Sequence, residues 1–133
     1  MNKMKIDELL PDAYKILKDL EIAKDGNILR TYRGQIVTFG ASIISGSLLS
    51  AIAFFSAKGS SKSDRHLLME AIHRLLVSDG GKDGKKLFDY ALSHDDDPNL
   101  EEDIFNAAIA LKLAMNLFTP IDTINQPEVK PDE

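Results

Sequence analysis

The chain has 133 residues, 16 Lys plus Arg against 21 Asp plus Glu, and no cysteine or tryptophan, and 44% of it is hydrophobic. That length and balance fit one domain with a packed core and exclude a wholly disordered or fibrous chain. The lack of cysteine excludes disulfide frameworks, thiolate zinc sites and cysteine nucleophiles, and it fits a reducing, cytoplasmic setting. The net charge of −5 is unevenly spread: residues 1 to 25 hold 5 basic and 6 acidic groups, residues 26 to 91 hold 9 and 5, and residues 92 to 133 hold 2 and 10. A basic middle beside an acidic end can offer one face to a polyanion and another to a basic partner, although ordinary solubilising charge can look the same.

The opening Met1-Asn2-Lys3-Met4-Lys5-Ile6-Asp7 has no apolar h-region and is not expected to be a secretory signal. Ile6, Leu9, Leu10, Ala13, Ile16, Leu17 and Leu20 recur at helical steps, which predicts a helix from about Ile6 or Leu10 to Lys24, with Asp25-Gly26 as its end and Pro11 near its start or at a kink. Leu29, Tyr32, Ile36, Phe39 and Ile43 predict a second helix from about Asn27 to Ile44. Arg30 and Arg33 fall beside that seam and neighbour each other on one helical surface. Gly46, within Ser45-Gly46-Ser47, predicts a corner, and Leu48, Leu49, Ile52, Ala53 and Phe55 then predict a short helix to about Ala57.

Lys58 to Ser63 reads as a mobile loop, and Ser63 or Asp64 is the expected cap of a helix that buries Leu67, Leu68, Ala71, Ile72, Leu75 and Leu76. The run from Asp79 to Gly84 ends that helix, and Lys85 to Ser93 predicts another, short one. Three acids in His94-Asp95-Asp96-Asp97-Pro98 precede a helix start, where they suit the dipole, and Asn99 with Glu102 resembles a capping box. Ile104, Ala108, Leu111, Met115 and Phe118 form the stripe of the last helix, which stops at Thr119-Pro120. Residues 121 to 133, acidic and containing Pro127 and Pro131, read as a flexible tail. No window alternates with period two. The expected fold is therefore all-α, a compact single-domain bundle of about six helices over residues 1 to 120, without repeats.

From Gly34 to Ala57 the chain runs 24 residues without a charge, long enough to cross a bilayer. Seven polar side chains (Gln35, Thr38, Ser42, Ser45, Ser47, Ser50, Ser56) and the corner at Gly46 argue instead for two buried helices of a soluble bundle, with a small membrane-associated protein as the alternative. His66, Glu70 and His73 share a helical face and suggest a metal-binding bundle, but the second Glu-x-x-His of a di-iron site is missing, so no metal or other cofactor is expected. Asp95, Asp97 and Asn99 begin a calcium loop that fails at Leu100 and Asn106, and the glycines near residue 80 lack phosphate-loop spacing. With His66, His73 and His94 placed on polar faces or loops and no nucleophile elbow, the chain reads as non-catalytic, with no small-molecule substrate. What remains is a basic set, Arg30, Arg33, Lys58, Lys62, Arg65 and Arg74, followed by Lys82, Lys85 and Lys86. Cations along one face can track successive phosphates whatever the base sequence, and the first six are the candidate nucleic-acid-binding residues.

Tyr32-Arg33 followed by the run from Phe39 to Phe55, Phe-Gly-Ala-Ser-Ile-Ile-Ser-Gly-Ser-Leu-Leu-Ser-Ala-Ile-Ala-Phe-Phe, resembles the signature of the small helical subunit of the type III-B CRISPR effector, the fifth-subunit family of the Cmr complex. In that family an aromatic-basic helix enters a buried turn and then a short helix ending in Ala-Phe. The likeness continues more loosely through Ala71 to Leu76 and Ala107 to Phe118. It departs from the family pattern at Phe39-Gly40, where Leu-Pro is usual, and at Ser47, where an apolar residue is usual. The resemblance implies a non-catalytic part of an RNA-guided antiviral ribonucleoprotein. Copies of it would stack beside backbone subunits along guide and target RNA, holding phosphates and leaving sequence to base pairing. Arg33 is the basic residue carried by the motif itself, and the acidic end would dock on a basic neighbour.

Overall fold

The computed structural model describes residues 1–58, 64–77 and 86–122. Among them the chain forms α1 (Lys3–Asp19), β1 (Ala23–Lys24), β2 (Asn27–Leu29), α2 (Arg30–Ser45), α3 (Leu48–Phe55), α4 (His66–Leu76), α5 (Leu87–Ser93), α6 (Leu100–Met115) and β3 (Thr119–Ile121). The all-α expectation holds, with six helices in one compact body. The core is organised around α6, which packs on α1, α2 and α4. Four of its nine buried residues are alanines (Ala107, Ala108, Ala110, Ala114), and their small side chains let the neighbouring helices approach from several sides.

α1 begins where the Asn2 side chain accepts the Lys5 N–H at 3.1 Å, a regular N-cap. The Asn2 N–H itself donates to Asn106 Oδ1, also at 3.1 Å, which gives the oxygen of a buried carboxamide its partner and ties the start of α1 to α6. Pro11 lies inside α1 on its exposed side, so the helix starts earlier than the proline suggested.

The expectation of no strands is corrected by a three-stranded sheet of order β1-β2-β3. The first helix stops at Asp19, not Lys24, and Asp25-Gly26 is the two-residue turn of a β-hairpin in which Lys24 pairs with Asn27. Both turn residues have positive φ, 55° and 81°, as a type I′ turn requires. β2 pairs in parallel with β3 in the register Asn27↔Thr119, Ile28↔Pro120 and Leu29↔Ile121. The second helix accordingly begins at Arg30, and Ile121, read as the start of a tail, is a strand residue. Residues 123–133, which hold the rest of that expected tail, lie outside the described residues, as do residues 59–63 of the expected loop and residues 78–85, which cover the expected break at 79–84 and the expected helix start at Lys85.

The corner falls at Gly46, which closes α2; a Cβ there would sit 3.1 Å from the Ser42 carbonyl oxygen. Ser47 caps α3 by accepting the Ser50 N–H at 3.1 Å. The hairpin is less buried than its lack of charge predicts. α2 buries Tyr32, Ile36, Phe39 and Ile43, whereas Val37, Ile44 and Phe54 are at least half exposed. The polar side chains on the open face turn inward to their own helix: Thr38, Ser42 and Ser45 donate to the carbonyls of Gly34, Thr38 and Ala41 at 2.9 to 3.0 Å. Among the described residues no helix is long and apolar enough to cross a membrane.

Neither Asp64 nor Asn99 makes its expected side-chain cap. Asp64 meets α4 through its backbone carbonyl, which accepts the Leu67 N–H at 2.8 Å, and Ser63 lies outside the described residues. Asn99 adopts a helical conformation and makes no side-chain cap; its N–H donates to Asp97 Oδ1 at 2.9 Å. The first turn of α6 still carries Glu101, Glu102 and Asp103, the charge its dipole favours.

Candidate nucleic-acid interface

Helical geometry turns the chain about 100° per residue, so the buried stripe of α2 leaves Arg30, Arg33, Gly34 and Val37 together on its outer face. α6 crosses beside this face and presents Lys112 and Asn116, one turn apart. The six residues line an open groove of about 330 Å³ between the two helices. Arg33 Nη2 donates to Asn116 Oδ1 at 2.8 Å, which holds the guanidinium over the groove. Arg30 Nε donates to Asp122 Oδ1 at 3.0 Å from a side chain 63% exposed. Among the described residues Arg33 and Lys112 make no ion pair. α2 has no acidic residue in its first turn, so the positive end of its dipole adds to the same field.

Two arginines and a lysine around one groove form a cationic surface suited to anionic oxygens. The arginine forks match phosphate geometry, and the lysine supplies a mobile point charge. Sequence reasoning missed Lys112 because the α2 and α6 faces meet only in the fold. The available signal was Lys112-x-x-x-Asn116, a polar pair beside the apolar stripe of an otherwise acidic third of the chain.

The other candidates lie elsewhere. The Asp64 N–H donates to the Tyr32 hydroxyl at 3.2 Å, on the buried side of α2, far around the helix from Arg30. Arg65 follows it, with its guanidinium 4.5 Å over the Phe54 ring and 6.0 Å from that of Phe55. Arg74 pairs with Glu70 at 2.7 Å within α4. Lys58 is exposed just past α3, and Lys62 lies outside the described residues, as do Lys82 and Lys85. The structure thus joins Arg30 and Arg33 to each other and to Lys112, and it does not bring Arg65 or Arg74 to their groove.

The histidine face is also rearranged. His73, expected on a polar face, is 3% exposed and meets the Tyr90 ring edge-on at 5.8 Å, and Glu70 is committed to Arg74. Among the described residues no three His, Asp or Glu side chains are grouped to hold a metal ion. Burial raises the Tyr32 hydroxyl above its ordinary pKa of 10.0; the Asp64 carboxylate pushes the same way and the Asp64 N–H opposes it. Burial likewise raises Tyr90, with Asp103 and Asp97 adding to it.

No protein-family model matches the chain, and no match to it is found among curated proteins or solved structures.

Proposed function

We propose that this chain is the small, non-catalytic subunit of a type III-B CRISPR (Cmr) effector, stacking in several copies along the guide and target RNA in the cytoplasm. The observation that carries the reading is the convergence of Arg30, Arg33 and Lys112 on one open groove. A compact helical body and the placement of the signature run on α2, the Gly46 corner and α3 support it as well. In this role the groove holds RNA phosphates and releases their counterions, while base pairing reads the sequence. Other Cmr backbone subunits and neighbouring copies of the chain cover its remaining faces. No cofactor, membrane or small-molecule substrate takes part.

The test is purification of the tagged chain from its native host. The expected result is an assembly containing other effector subunits and RNA; a chain recovered alone and free of RNA overturns the reading. Within that assembly, Arg30→Glu with Arg33→Glu should weaken RNA retention and flatten its salt dependence.

A further inference from the structure

We propose that Asp122 is a built-in competitor for the groove's ligand, a carboxylate that occupies Arg30 until an RNA carrying several phosphates displaces it. The proposal rests on the phosphate-binding reading given above. It begins from strand register: β2 and β3 run parallel with Leu29 paired to Ile121, so one further step along each strand sets Arg30 beside Asp122. There the carboxylate accepts the Arg30 Nε–H at 3.0 Å. Carboxylate and phosphate oxygens are alternative acceptors for the same guanidinium donors, so both cannot take the Arg30 Nε–H at once.

One acid of the chain's acidic end thus lies on the chain's own basic face. The two side chains are 63% and 85% exposed, so the pair is solvated and weak in itself. Its persistence comes from the backbone pairing, which keeps the carboxylate at high effective concentration beside Arg30. A lone anion gains little by displacing it. An RNA that also engages Arg33 and Lys112 gains two further contacts, so the device discriminates against brief, single-phosphate encounters.

The experiment is fluorescence anisotropy of a labelled single-stranded RNA with the full chain, over a salt titration. It compares wild type, Asp122→Asn, Asp122→Ala, Arg30→Gln, Arg33→Gln, Lys112→Gln and the double variant Arg30→Gln with Asp122→Ala. The alanine variant is included because an asparagine oxygen can still accept from Arg30. Removing the carboxylate should tighten binding about two- to fivefold, the span of a solvated ion pair, and steepen the salt slope by about one. In the Arg30→Gln background the same removal should change little, since its effect runs through Arg30. Unchanged affinity in Asp122→Ala, or an equal gain with and without Arg30, overturns the competitor while leaving the groove in place. RNA binding that is absent in every protein, or that Arg30→Gln, Arg33→Gln and Lys112→Gln each leave at the wild-type level, overturns the groove reading and the competitor with it.

Discussion

Arg33 and Asn116 stand 83 positions apart in the chain and meet at 2.8 Å, and Lys112 reaches the same groove one turn before Asn116. Because Asn116 holds the Arg33 guanidinium, Asn116→Ala should weaken RNA retention without removing any charge, by about two- to tenfold if the fork is a bidentate phosphate contact. Unaltered retention in titrations of the assembled complex would remove Asn116 from the site. Inside the protein, Tyr32 gives a separate check. Its phenol ionises later in the folded chain than in the unfolded one, because burial disfavours the phenolate. The folded state therefore holds that proton more tightly. The stability this contributes is fully present below about pH 10 and is lost as the pH rises through the folded value. Tyr32→Phe should flatten that alkaline loss in urea unfolding. At neutral pH it should cost about 1 kcal/mol, since the buried side chain no longer accepts the Asp64 N–H.

The helices were legible because their apolar residues recur with the helical period, and a stripe such as Ile104, Ala108, Leu111 and Met115 leaves few alternatives. The strands were not, because two- and three-residue segments are too short to show alternation. Asp25-Gly26 is nonetheless a hairpin signal, and it passes for a helix end because the preceding apolar spacing carries through Leu20. At Gly26, φ is +81°, so Gly26→Ala should destabilise the protein by about 1 kcal/mol and loosen the hairpin that positions β2 and hence the start of α2. Pro11 offers the opposite change. It lies on the exposed side of α1 with no N–H to complete the helical ladder, so Pro11→Ala should raise the thermal midpoint. A lower midpoint would mean that the proline shapes α1 in a way its neighbours need. The burial of His73 was hidden for a related reason: α4 packs on α1, α5 and α6 together, so its inner face is wider than one stripe.

Across the molecule, charge sorts along α6. The helix begins with Glu101, Glu102 and Asp103 and ends with Lys112 beside the two arginines of α2, so acidic and basic regions sit at its opposite ends. The uneven charge of the chain hinted at such a division, but linear counting assigned Lys112 to the acidic third and placed Arg65 and Arg74 with the arginines of α2. Only the packing of α2 on α6 decides which cations act together. The uncharged run was legible as a helical hairpin, and Val37, Ile44 and Phe54 fall off its expected apolar stripes, where the structure leaves them exposed. The most direct test of the account is ultraviolet crosslinking of the chain as purified from its native host, followed by mass spectrometry of any nucleotide-bearing peptides. The groove predicts adducts on this chain between residues 30 and 37 and around 112 to 116. Adducts confined to α4, or a chain that carries none, would contradict it.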